Sequence, residues 1–480
     1  MNKRVVAVTV LIFAMFMDLV DSTIVNTALP AIQKSLDTSA AQLEWTIGGY
    51  MLAFAATLVT GGRLGDIFGR QRVFIIGIAG FTLASLLASA ANSGEMLVLA
   101  RVVQGSFAGI MVPQVLSTVQ VLFKPQERGP IYGIIGVVTA LGSVAGLLLG
   151  GWLITADLFG SDWRSIFLVN LPVGAALIAA AVIAVPNTRS EHPLKLDLLG
   201  VVLATGTVFL VTFALFDGRH EDWAWWIWTM LAVSPVTGGL FVLHQKRKLA
   251  RDGSPLLPMP LFSNHGFRSG ILVQVIAWIA NGSYMLIVGY YLQTALGFSA
   301  LAAGLTLTAG TVGAMVATPA LTPLNKFGRN LILIGGIAQA ACFVWVRYEI
   351  VTEGAGLSGW DLALPLGLAG VGMVFMFPPL HDITLATVPT KDAGAASGTF
   401  STFHQIGFVL GIAIVGVVFF GIAGEDPTAA TLKDAVETGL WITVGAFVLA
   451  GLCSLLMPRP VSAPVAADEA VNMPLDAVRD

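Results

Sequence analysis

Fourteen separate stretches of this sequence are apolar and long enough to cross a lipid bilayer. A crossing takes about 20 mostly apolar residues, and a backbone facing lipid has to satisfy its own hydrogen bonds, which a helix does. The stretches are 5–29, 45–62, 73–91, 96–122, 130–155, 166–185, 196–216, 224–243, 267–292, 300–322, 330–350, 361–385, 399–421 and 438–457. The expected fold is an all-α polytopic membrane protein. Composition agrees: 56% of the residues are hydrophobic and 11% charged, about half the charge of a soluble domain. The first stretch follows Lys3 and Arg4, as a signal peptide would, but it is too long for a signal-peptide core and carries two acids. A retained first span is expected.

Charge placement tests the count. With both termini in the cytoplasm, the inner loops and tails hold 19 of the 25 Lys and Arg residues. Lys34, Arg164, Arg219, Arg347 and Lys433 fall outside, and Arg101 lies within a span. This follows the positive-inside rule, and dropping one span would invert every later loop. The outer loop GRHEDWAWWIW (218–228) carries four tryptophans, as an interfacial aromatic belt does. Net charge is −3 with no long basic block, so membrane lipid is an expected partner and nucleic acid is not. Cys342 and Cys453 match no metal spacing and are expected to pack in apolar segments.

The chain also repeats itself. QKSLDTSAA from Gln33 aligns with QTALGFSAL from Gln293, and RLGDIFGR (63–70) aligns with TPLNKFGR (322–329). Offsets of 260 and 259 match the first span to the ninth and the second to the tenth. Two six-helix bundles of parallel repeat, 1–185 and 267–457, then flank an inserted helix pair, 186–243, and a basic cytoplasmic linker, 244–266. Residues 458–480 read as a disordered tail. Repeats of this kind belong to transporters that rock around a midplane site.

Within the first span, AMFMDLVDSTIVNTALP (14–30) places Asp18 and Asp21 on one helix face. An acid at the bilayer centre costs about 2.5–3.5 kcal/mol on insertion scales, so it faces a cavity or a partner. At about 1.5 Å rise per residue, Asp21 lies about 13 Å and Asp18 about 18 Å below the outer end, with Arg101 about 8 Å deep. An Asp–Arg pairing is geometrically allowed. It is either a static buried pair or part of a site where one aspartate takes up and releases a proton as its surroundings change. The offset maps Asp21 onto Asn281 and Asp18 onto Trp278, so proton chemistry is expected in the first bundle and binding in the second.

These motifs together resemble the major facilitator superfamily, and within it the fourteen-span drug:proton antiporters, over roughly 5–457. LVDSTIVNTALP resembles the helix-1 signature with Asp21 at its acidic position. GGRLGDIFGRQRV (61–73) resembles the loop 2–3 motif through Gly62, Asp66, Gly69, Arg70 and Arg72, and LARVVQG (99–105) the helix-4 motif through Arg101 and Gln104. WRSIFLVNLPVG (163–174) and AGAASGTFSTFHQIGFVLGIAIVG (393–416) look typical of the branch. The helix-5 antiporter motif is represented by Gly142, Gly146, Gly150 and Gly151, with Leu147 where the family has proline. That departure bears on direction, because the family takes the motif as a mark of export. The resemblance implies a latch in which Asp66 caps the N-terminus of the thirteenth span while Gly62 and Gly69 form tight turns.

Gln274, Trp278, Asn281 and Met285 share a face of the ninth span, and Ser397, Ser401, His404 and Phe408 a face of the thirteenth. With Gln104, Tyr284, Tyr291 and Gln405 they are candidates to line a cavity for a bulky hydrophobic or cationic molecule. His404 reads either as titratable or as a hydrogen-bonded interior histidine. The implied activity is proton-coupled export of drugs, antibiotics or related metabolites by a monomer in the bacterial inner membrane. Its driver is the proton gradient, with no metal or cofactor expected. A proton-coupled nutrient importer is the alternative. An intramembrane enzyme or sensor is disfavoured, since HExxH, GxSxG and GxxxxGK[ST] are all missing from the sequence.

Overall fold

The computed structural model describes residues 3–123, 125–157, 160–189, 195–219, 221–324, 327–388, 393–424 and 427–458. Fifteen α-helices account for nearly all of them. In the first half they are α1 (Lys3–Leu36), α2 (Ala40–Phe68), α3 (Arg70–Ser89), α4 (Gly94–Leu122), α5 (Pro125–Ala156), α6 (Ser165–Leu168) and α7 (Asn170–Ala184). Next come α8 (Leu198–Asp217) and α9 (Trp225–Asp252). The second half holds α10 (His265–Thr294), α11 (Ala300–Leu324), α12 (Arg329–Glu353), α13 (Gly359–Ala386), α14 (Ala393–Ala423) and α15 (Ala429–Cys453). Among the described residues, thirteen helical segments are long and apolar enough to cross a membrane, with α6 and α7 counted as one broken segment. α5, which covers the expected fifth crossing, is a helix of 32 residues.

The two halves pack by the same plan. In the first, α1 lies on α5 and α7, α2 on α4, and α3 on α4 and α7. In the second, α10 lies on α14 and α15, α11 on α13, and α12 on α13 and α15. Shifting the first set along the chain reproduces the second. Contacts between the halves obey the same symmetry: α5 meets α11, and α2 meets α14. The inserted α8 and α9 pair with each other, and α8 stands in the seam between α2 and α14.

Several helix ends depart from the sequence expectation. α1 runs through Pro30 to Leu36, because a proline removes one helical hydrogen bond without forcing a stop when neighbouring helices hold the segment. α2 starts at a capping box, with Ser39 Oγ accepting from Gln42 N and Gln42 Oε1 accepting from Ser39 N, and it continues to Phe68. The stretch 63–68, expected in a loop, is therefore helical, and Gly62 sits within the helix rather than in a turn. The turn falls at Gly69, whose φ of 102° is a glycine conformation. α9 extends to Asp252, so the linker is shorter than 244–266. Of the expected disordered tail, 458–480, all but Pro458 lies outside the described residues.

Call the membrane end at which α1 begins the Lys3 end, and the opposite one the Leu36 end. A single apolar core joins the Leu36-end half of the first bundle to the second bundle, through Ile24, Ala28, Leu147, Leu286 and Val409 among others. The Lys3-end half of the first bundle has its own core, built on Leu11, Phe54, Phe74 and Met111. Polar contacts made to the second bundle from α1 and from the inserted pair also lie toward the Leu36 end. Tyr290 OH donates to Gln33 Oε1 at 2.7 Å, and Arg219, just past α8, donates to the Phe420 carbonyl of α14.

Candidate functional site

Asp21 and Asp18 are both buried, at 1% and 7% exposure, but their surroundings differ. Asp21 Oδ2 accepts from Arg101 NH1 at 2.6 Å. Its Oδ1 accepts from Gln104 Nε2 at 2.8 Å and Asn170 Nδ2 at 2.6 Å. Ser85 Oγ accepts from both amides, at 2.8 and 3.2 Å, which fixes their orientation. Arg101 also donates from Nε to the Thr46 carbonyl at 3.2 Å and from NH1 to Gln104 Oε1 at 2.5 Å. Its guanidinium lies 4.1 Å from the Tyr50 ring centre. The pairing is direct, and Asp21 is saturated by one cation and two amides drawn from α4 and α7.

Asp18 accepts one hydrogen bond, from the Tyr50 hydroxyl, and no salt bridge reaches it among the described residues. Tyr50 couples the two acids: its ring faces Arg101 and its hydroxyl faces Asp18. Sequence reasoning found both aspartates and Arg101 but missed Tyr50, Ser85, Thr46 and Asn170. Each is a single polar residue in an apolar run, and Asn170 lies inside the motif WRSIFLVNLPVG.

Helices α1 and α5 approach closely because α5 has no side chains in the way. A Cβ at Gly146 would overlap Thr23 and the Val20 carbonyl, and one at Gly150 would overlap Thr27 and Ile24. Gly142 sits against Leu19 and Phe16. Gly151 faces the other way, onto the backbone of Ala300 and Leu301 in α11. Leu147, where the motif has proline, is 1% exposed, and its carbonyl is packed against Gly304 of α11.

At the Lys3 end, Asp66 Oδ1 pairs with Arg70 NH2 at 2.6 Å. Arg70 donates from its backbone N to the Thr188 carbonyl at 2.9 Å and from NH1 to Thr188 Oγ1 at 3.2 Å. Among the described residues Asp66 is thus paired within its own bundle; residues 389–392, which lead into α14 and carry the expected latch contact, and Asn325 lie outside the described residues. Arg72 is exposed. Gly62 has room for a Cβ, with Pro113 at 3.7 Å, whereas one at Gly69 would strike Asn187.

The candidates for a substrate surface scatter. Gln104 belongs to the Asp21 cluster instead. Gln274, Asn281 and Tyr291 are buried, and Gln274 Oε1 has no hydrogen-bond partner. Tyr284 packs on Phe343, ring centres 4.7 Å apart. Met285 and Gln405 are half-buried. Trp278 and His404 have ring centres 3.6 Å apart with planes tilted by 34°, and Phe377 lies 4.7 Å from the indole. His404 is thus held by stacking; among the described hydrogen bonds none reaches it. The faces of α10 and α14 pack on each other because both are aromatic at the same level. A cavity of about 220 Å³ lies elsewhere, between α2, α8, α9 and α14. Its lining is apolar apart from Thr205, Thr207 and Thr402, and includes Val59, Phe241 and Phe403.

Twin bundles of one packing plan, with buried charge in one of them, define a multi-pass membrane transporter. The chain belongs to the Major Facilitator Superfamily, whose model matches residues 11–262 and 270–477. It is 39% identical over 433 residues to a probable actinorhodin transporter of Streptomyces coelicolor, covering 89% of this chain and 74% of that protein. It is 30% identical over 441 residues to a tetracenomycin C resistance and export protein of Streptomyces glaucescens, covering 87% and 79%. Its fold matches the crystal structure of a nucleoside transporter with a TM-score of 0.66 at 13% identity, over 95% of this chain and 99% of that one.

Proposed function

We propose that this protein exports hydrophobic or cationic drugs, antibiotics or related metabolites from a bacterial cell in exchange for protons, by alternating access of the two bundles. Export by relatives such as the tetracenomycin C protein supports the reading. In it, both termini lie in the cytoplasm, the Leu36 end faces outward, the protein works as a monomer in the inner membrane, and the proton gradient is the sole driver. Bundles 1–185 and 267–457 are the rocking units, and the 220 Å³ cavity, lined by uncharged and mostly apolar residues, suits an apolar portion of the substrate.

The observation that carries the proton assignment is the inequality of the two aspartates. Asp21 is already neutralised by Arg101 and fully hydrogen-bonded, so protonating it would leave a buried guanidinium unpaired. Asp18, held by a phenol alone, loses no ion pair on protonation and gains a neutral form that burial favours. Asp18 is therefore the proton carrier, and Asp21, the acid at the helix-1 signature position, is with Arg101 its fixed electrostatic setting. A proton crossing about 100 mV releases about 2.3 kcal/mol, enough for a roughly fiftyfold solute gradient.

Everted membrane vesicles test the direction. Energised vesicles containing this protein are expected to accumulate substrate when the proton gradient is present and to lose it when an uncoupler is added. Gradient-driven depletion in that geometry would instead support import.

A further inference from the structure

Glu44 is a further buried acid of the first bundle, and nothing above uses it. It lies in the second turn of α2 at the Leu36 end, and its exposure is 3%. Its Oε2 has no hydrogen-bond partner. The facing helix, α14, belongs to the other bundle and presents the backbone of Gly416 so closely that a Cβ there would overlap the carboxylate. A cavity of about 30 Å³ beside it is bounded by Phe216, Arg219, Val417 and Phe420, room for a water or two.

The charged groups facing Glu44 are Arg219 and Asp217, both at the end of α8. α14 contributes Gly416, Val417 and Phe420, none of them charged. Both charged neighbours are engaged. Asp217 Oδ2 accepts from Trp45 Nε1 at 2.8 Å, and Arg219 donates to the Phe420 carbonyl across the seam. No salt bridge joins Glu44 to Arg219 among the described residues. An ionised carboxylate shut into such a seam would be desolvated without a contacting cation.

We propose that Glu44 is a second proton-binding site, one that takes up a proton from solvent when the Leu36 end is open and holds that end closed while protonated. When the bundles part there, Gly416 leaves the carboxylate and Arg219 loses the Phe420 carbonyl. Glu44 is then wetted, its O–H bond breaks with the proton passing to water, and the carboxylate pairs with the released guanidinium. Rebinding a proton neutralises Glu44, returns Arg219 to α14 and lets the seam close. Small Gly416 is what allows the neutral acid to fit. The site responds to gate position, and it stands whether or not Asp18 carries the transported proton.

The test uses the full chain in lipid nanodiscs, without Cys342 and Cys453, spin-labelled at Lys34→Cys in α1 and Ala430→Cys in α15. The parent is expected to show the short distance at about pH 5 and a growing long-distance population at about pH 8. Glu44→Gln, which mimics the neutral acid, should keep the short distance at both, and Glu44→Asp should restore the response. A Glu44→Gln protein that opens with pH like its parent, or a parent with no pH response, would overturn the proposal.

Discussion

Gly151 in α5 lies directly against the backbone of Leu301 in α11, leaving no space for a side chain at position 151. This contact joins the two bundles at the Leu36 end, where Gly304 meets the Leu147 carbonyl in the same way. Glycine here is a condition for closing that end. Gly151→Val is expected to fold, since its own bundle does not occupy the site, but to populate the open state. Labelling of a cysteine introduced at Thr308, buried one turn from Gly304 in α11, should rise several-fold, and transport should fall. Unchanged labelling would show that the seam closes elsewhere.

Breaking the Asp21–Arg101 pair from either side leaves a buried charge alone, at a cost of about 3–5 kcal/mol. Arg101→Met and Asp21→Asn should both lower the thermal unfolding temperature of the purified protein. The double variant, with neither charge, should recover part of the loss. Asp18→Asn removes no ion pair and should unfold close to the parent temperature.

A clamp at the Lys3 end ties the inserted pair to the first bundle. Arg63 donates to the carbonyls of Lys195 at 2.6 Å and Ser254 at 3.0 Å, and to that of Pro255. Asp197 caps α8 and accepts from His244, Gln245 and the backbone N–H groups of Gly200 and Leu256. Burial pushes the Asp197 carboxyl up, but these hydrogen bonds outweigh it and hold it below the ordinary 3.8. A depressed carboxyl contributes stability that is complete above its unfolded value and lost as pH falls through the folded one. The contribution of Asp197 should therefore be complete above about pH 5 and fall away only in stronger acid. Amide exchange at Leu256 reports this, and Asp197→Ala should speed it at neutral pH.

The Asp66–Arg70 pair is partly exposed, so its static contribution is about 0–1 kcal/mol. A role in switching predicts a kinetic defect instead. Asp66→Asn should lower turnover about tenfold while substrate affinity stays within about twofold. Normal turnover would make the pair a local brace only.

Much of this was legible because bilayer crossing and close helix packing leave simple marks. Apolar length gave the expected crossings, and the helix-5 motif picked out Gly146 and Gly150, positions where nothing larger fits against α1. Asp18, Asp21 and Arg101 stood out since charge in a span is rare. What stayed hidden depends on three-dimensional neighbours. Tyr50 and Asn170 look like ordinary residues until α2 and α7 bring them to α1. Spacing put Trp278 on one face of the ninth span and His404 on one face of the thirteenth, but it did not show that the two rings meet. Gly62 read as a turn because the sequence does not show that α2 keeps its helical hydrogen bonds as far as Phe68.

The central claim is that Asp18 exchanges a proton while Asp21 does not. Substrate-induced proton release, followed with a pH indicator in weakly buffered detergent solution, measures this directly. Asp18→Asn is expected to abolish release while substrate still binds, and Asp21→Asn, wherever enough folded protein survives, to retain it. Full release from Asp18→Asn, or its loss from folded Asp21→Asn alone, would contradict the account.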